Sequence, residues 1–242
     1  MKKSMIGKFG VCLFSLFVAT TVGVKAQDKL DASVGADLVS AYEWRGQDLG
    51  GAAAQPYAGI SYKGLTLGAW GSVGLDKSNS YTSELDFTVG YTSGKFSAAV
   101  TDYYSLVNAN FGDVKYFKYG SSSASTAHVY EATIGYNFGP LALAWNTNFA
   151  GNDGTKSDDK RAYSTYIQAT APFKVGAVDF KAELGVSPWE TSYYVNSSFA
   201  VVNIGVTATK QVKIADFTLP VYAKIGANPD TQRAFVVLGV TL

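Results

Sequence analysis

Eight charged residues carry most of the chemistry this sequence could support. Glu43, Arg45, Glu84, Asp86, Glu131, Asp179, Lys181 and Glu183 each sit in a stretch where apolar and polar residues alternate, and each falls on the polar side. In an extended strand successive side chains point to opposite faces. The alternation therefore places all eight on a face otherwise built from Gly, Ala, Ser, Thr and Asn. Mixed charge on one wall has two uses. Around water it sets which ions enter, with Arg45 drawing anions to a constriction. Where water is scarce the same groups pair, Arg45 with Glu43 or Glu84, and close the passage.

Catalytic arrangements are poorly supplied. His128 is the only histidine, with Ser125 and Thr126 just before it. A Ser–His pair needs a placed nucleophile and an acid that orients the imidazole, and no recognisable motif surrounds this one. The expectation is an exposed histidine at a loop rim, and no enzyme. Asp153, Asp158 and Asp159 could offer oxygen ligands to calcium, but the Gly and Lys residues around them suit a solvated loop. One His and one Cys leave too few ligands for a structural zinc site. No Gly-rich phosphate cradle opens a helix. No cofactor is expected.

The start of the chain sets the compartment. Lys2, Lys3 and Lys8 precede an apolar run from about Phe9 to Val24, and small or short residues flank the Ala26–Gln27 bond. This is the layout of a secretory leader over residues 1–26, with a run shorter than the ~20 residues a spanning helix needs. Its removal takes Lys2, Lys3, Lys8 and Lys25 from 20 basic residues and none from 19 acidic ones, leaving 16 against 19, a net of −3. A nucleic-acid binder needs a basic face, so that class is excluded. Cys12 leaves with the leader, and the apolar run continues too far past it for a lipid-attachment cysteine.

From Asp31 onward the period is two almost throughout. It predicts one domain over residues 27–242 with strands near 32–45, 54–62, 65–75, 81–92, 96–106, 128–138, 141–149, 162–173, 178–186, 198–209, 217–227 and 234–242. Connections near 63–64, 93–95, 139–140 and 174–177 are short, whereas those near 46–53, 107–127, 151–161, 189–197 and 228–233 are mostly longer and more polar. Short turns at one end and long loops at the other mark an outer-membrane barrel. Twelve is an even number, so both termini fall on the periplasmic side.

A soluble sandwich fills its core with large apolar side chains from both sheets. Here the small and charged face reads as a lumen and the apolar face as the outside. Aromatics near strand ends (Tyr42, Trp44, Tyr81, Tyr91, Phe96, Tyr136, Phe138, Phe149 and Phe173) match girdles at the two lipid interfaces. Closure is required because an open edge in hydrocarbon strands N–H and C=O groups at several kcal/mol or so each. The expectation is an all-β, closed, antiparallel up-and-down transmembrane barrel. Asp102 breaks the pattern, since its parity puts a carboxylate on the apolar face. A bulge, or a position above the membrane, would account for it.

Tyr42-Glu43-Trp44-Arg45-Gly46, then Pro56, Gly59 and Tyr62, then Gly64 to Ser72 with its Gly-Ala-Trp-Gly-Ser run, resemble the TorF-type porins of bacterial outer membranes. Glu131 to Tyr136 is similar to the same family. The resemblance is strongest over residues 31–75. The sequence departs from barrels of this kind at its last residue, which is Leu242 rather than an aromatic. The resemblance implies a fold and an outer-membrane location, with lipid around the barrel, more than a solute.

Three uses stay open at this stage. The barrel could be a narrow channel for passive diffusion of small hydrophilic solutes. It could be a non-conducting surface barrel whose outer loops bind a partner, with Tyr103, Tyr104, Phe111, Tyr116, Phe117 and Tyr119 in or near loop 107–127. An outer-membrane enzyme resting on His128 is the weakest.

Overall fold

The computed structural model describes residues 29–242 apart from 77–80, 110, 111, 113, 114 and 122–124. The expected leader and Cys12 lie outside the described residues, as does Phe111. Twelve strands form a closed antiparallel barrel in which each pairs with its sequence neighbours and the last returns to the first. They are β1 (Asp31–Val39), β4 (Ala53–Tyr62), β5 (Leu65–Gly74), β6 (Thr82–Ser93), β7 (Phe96–Val107) and β8 (His128–Asn137). β9 (Ala142–Gly151), β10 (Thr165–Val175), β11 (Val178–Ser187), β12 (Ala200–Ile214), β13 (Phe217–Asn228) and β14 (Arg233–Thr241) complete it. A separate two-stranded ribbon joins β2 (Tyr42–Trp44) to β3 (Gln47–Gly50).

The short turns have local causes. Lys63 and Gly64 both take positive φ (48° and 85°), the geometry of a two-residue turn whose twist matches the flanking strands. β12 runs on to Ile214, so Ala215–Asp216 make a two-residue connection where the sequence pattern had suggested a longer one.

The distribution of side chains is inverted relative to a soluble domain. The fully buried large side chains include Glu131, Asn148, Asn203, Thr165, Ser164 and His128, while Phe87, Val89, Val100, Ile134, Leu184 and Val236 are exposed. Aromatics form an outward ring at the short-turn end through Tyr62, Tyr91, Phe96, Tyr136, Phe138 and Phe173. Phe173 and Phe180 stack across β10 and β11 at 5.1 Å.

The first strand is where structure and sequence pattern part. The expected 32–45 strand ends at Val39. Beyond it the chain bends at Ser40 and Ala41 and enters the lumen as the β2–β3 ribbon. Trp44 pairs with Gln47, and the turn between them is Arg45–Gly46, again with positive φ at both positions (52° and 80°). Tyr42 and Trp44 therefore lie inside the barrel rather than in the outer aromatic girdle, and Tyr81 is likewise buried.

Gly46 is required twice over. Its φ suits glycine, and a Cβ there would overlap the carbonyl oxygen of Val202 on β12. Gly46→Ala is expected to lift the ribbon off the wall. Trypsin should then cleave after Arg45 in the folded, detergent-solubilised variant, while the parent chain resists cleavage at that bond.

Candidate functional site

The site is the upper lumen, at the long-loop end, where the ribbon crosses the barrel. A two-stranded hairpin is marginal in isolation, so its position depends on what the wall offers. Tyr42 packs in a cluster with Val39, Ala53, Tyr222 and Val237, with Trp70 at its edge. Asn228 donates from Nδ2 to the Gly46 carbonyl at 3.2 Å, and the Thr82 hydroxyl donates to the Leu49 carbonyl.

Charge fixes the ribbon further. Arg45 reaches Glu131 on β8 through both terminal nitrogens, Nη1 to Oε2 at 2.5 Å and Nη2 to Oε1 at 2.9 Å. This two-pronged pairing matches the planar guanidinium to the carboxylate. Nη1 also donates to the Tyr194 hydroxyl at 2.8 Å, and Tyr103 donates to Glu131 at 3.0 Å. The guanidinium carbon sits 4.3 Å from the Trp44 ring and 4.7 Å from the Tyr166 ring. Arg45 is 9% exposed. Burial works against its charge, but Glu131 and the surrounding groups outweigh that and hold its pKa well above the ordinary value. Burial likewise raises the Tyr194 hydroxyl, which stays protonated as an acceptor for Arg45.

A second network lies beside the first. Glu43 accepts from Lys224 Nζ at 2.6 Å and from its own turn, the Gly46 N–H, at 2.7 Å. Lys224 also pairs with Glu183 at 3.1 Å, and Lys181 pairs with Glu183 at 3.0 Å. Glu84 accepts from the Tyr42 hydroxyl at 2.7 Å, and Asp86 from the Tyr104 N–H at 3.4 Å. Seven of the eight charged residues read from the pattern thus meet in the enclosed lumen. Asp179 shares the parity of Lys181 and Glu183 but lies at the short-turn rim, where it is exposed and pairs with Lys174 at 3.0 Å. Arg45 binds Glu131 and neither Glu43 nor Glu84, because the ribbon carries it across the lumen to β8.

Loop 188–199 adds a second layer. Trp44 meets Tyr103, Tyr193 and Tyr194 at ring distances of 5.7, 6.3 and 6.4 Å. Below the ribbon, toward the short turns, a cavity of about 150 Å³ remains, lined by groups such as Thr88, Thr101, Thr133, Asn146 and Gln168. Lys224, Tyr166 and Tyr194 were not singled out from sequence, and Tyr103, expected with the outer-loop aromatics, faces the lumen. Lys224 was legible, since it shares the parity of Tyr222 and Gly226 in an alternating strand. Tyr194 sits in a loop, and nothing in the period places it.

His128 is a correction to the sequence reading, and it accounts for Asp102. Asp102 pairs in register with Phe87 on one side and Tyr130 on the other, with no bulge at its position. It does face outward, as its parity says. His128 faces outward too, yet it is 0% exposed rather than a rim histidine. Its Nδ1 meets Asp102 Oδ1 at 2.7 Å and its Nε2 meets the Tyr116 carbonyl oxygen at 2.7 Å. The segment Lys115–Tyr119 folds back over the outer wall and covers the pair through Tyr116 and Tyr119. With Nε2 engaged by a backbone carbonyl, the ring does not face a hydroxyl it could activate. Among the described residues, no group of three or more His, Cys, Asp or Glu is placed to hold a metal ion.

No family model matches this chain, and no curated protein matches it either.

Removing one partner of a buried ion pair costs about 3–5 kcal/mol, because the other charge stays buried alone. Glu131→Ala is expected to destabilise the barrel to that extent in denaturant unfolding from micelles. Arg45→Ala with Glu131→Ala should cost clearly less than the two single changes summed. Additive losses would mean the pair does not hold the ribbon.

Proposed function

We propose that the chain is an outer-membrane barrel with both termini on the periplasmic side, and that its lumen is a narrow passage for small hydrophilic solutes kept closed by the β2–β3 ribbon. The observation that carries the reading is the charge-paired ribbon lying across a polar lumen, above a small polar cavity. A wall that exposes Phe87, Val89, Val100 and Ile134 while burying Glu131 and Asn148 supports a lipid surround. An exposed apolar surface of this extent needs an apolar partner. Short turns at one end and long loops at the other support the orientation. The leader-like residues 1–26 support export, and kinship with TorF-type porins, resting on Tyr42–Gly46 and Gly64–Ser72, belongs to the same proposal.

A polar ribbon suits gating better than permanent filling. Replacing buried ion pairs by apolar residues is often neutral or stabilising, so a lumen meant only to be filled has no need of Arg45, Lys224 and five carboxylates. A surface barrel without conduction is the second reading, favoured by the depth of closure through both the ribbon and loop 188–199.

Planar-bilayer recording separates them. The parent protein should show small, infrequent conductance steps. A variant with residues 42–50 replaced by a short Gly-Ser linker should show steps several-fold larger. If the variant inserts and conducts no more than the parent, the channel reading fails and the surface-barrel reading stands.

A further inference from the structure

The outer wall carries a hydrogen-bonded His128–Asp102 pair where an apolar face is expected, and the segment that hides it presents a surface of its own. Asp102, Tyr104 and His128 share the outward face with Val100 and Ile134, which are exposed nearer the short turns. Tyr116 closes over them, 4.8 Å from the Tyr104 ring and 5.0 Å from His128, and Tyr119 lies 4.6 Å from His128. The segment Lys115–Tyr119 is thereby strapped to the outside of the barrel near its long-loop rim. Lys115 and Lys118 are exposed, Phe117 is 84% exposed and Tyr119 is 53% exposed.

We propose that this strap is a contact for anionic lipid headgroups, with Lys115 and Lys118 on phosphate and Phe117 and Tyr119 among the upper acyl carbons. The inference rests on the membrane reading above. Three observations support it. The strap continues the apolar outer face upward, so its level is the lipid boundary of that face. Basic and aromatic side chains are interspersed along it, the composition that suits an interface with phosphate on one side and hydrocarbon on the other. The His128–Asp102 pair and the Tyr116 carbonyl fasten it from behind, so the contact is held in place before lipid arrives. A protein partner would meet the strap from the water side, whereas Phe117 and Tyr119 extend an outer face that is already apolar. Each lysine near an anionic surface contributes by attraction to its potential.

Residues 27–242 contain no cysteine. In that chain, Phe117→Cys is labelled with a small fluorophore and reconstituted in vesicles of equal parts phosphatidylglycerol and phosphatidylcholine. Bromines are placed near the headgroup end of the acyl chains of one lipid or the other. Brominated phosphatidylglycerol should quench the label about twofold more than brominated phosphatidylcholine. Lys115→Gln with Lys118→Gln should bring the ratio to one. His128→Phe, which frees the strap, should reduce quenching by both lipids. The same label at Val100→Cys reports the wall. Quenching at Val100 with none at Phe117, or equal quenching of Phe117 by both lipids, overturns the lipid contact alone. No quenching at Val100 overturns the membrane reading and the contact with it.

Discussion

Arg45 is a positive charge held where little water reaches, and the upper lumen is arranged around that fact. A buried guanidinium is tolerable only with a carboxylate at matching geometry and its remaining donors satisfied. Glu131 provides the first, Tyr194 accepts from it, and the Trp44 and Tyr166 rings flank it. Those partners come from β8, β10, loop 188–199 and the ribbon itself. One side chain thus ties four parts of the chain that are far apart in sequence.

The barrel is what makes such an interior affordable. Its wall satisfies the strands' backbone groups between neighbours, so the outside can be apolar and the inside can be reserved for side-chain pairing. Lys224 illustrates the economy. It bridges Glu43 on the ribbon to Glu183 on the wall, and Lys181 meets the same Glu183. Exposed pairs such as Lys160–Asp158 and Lys174–Asp179 follow the opposite logic. Water screens them, and pairs of that kind contribute little to stability.

The wall was largely legible because strands announce themselves by parity. Alternation at Leu85, Phe87 and Val89 against Glu84, Asp86 and Thr88 assigns inside and outside without any knowledge of the neighbours. The ribbon was hidden by the same rule. Tyr42 and Trp44 continue the even series of β1, and Glu43 and Arg45 the odd series, so the period does not mark where the chain leaves the wall. The turn signal at Arg45-Gly46 was present, but a hairpin folded inward costs nothing in local pattern and is decided by partners far along the chain. Asp102 shows the converse. Its parity was read correctly, and the explanation lay in a loop whose path no period describes.

The central claim is that residues 42–50 are docked in the lumen as part of the folded barrel. Hydrogen–deuterium exchange on the vesicle-embedded protein tests it most directly. The account predicts that amides from Glu43 to Gly50 exchange about as slowly as those of β8 and β12, and that Glu131→Gln speeds them while leaving the wall protected. Exchange of the parent's ribbon as fast as that of the exposed loop at residues 156–160 would contradict it.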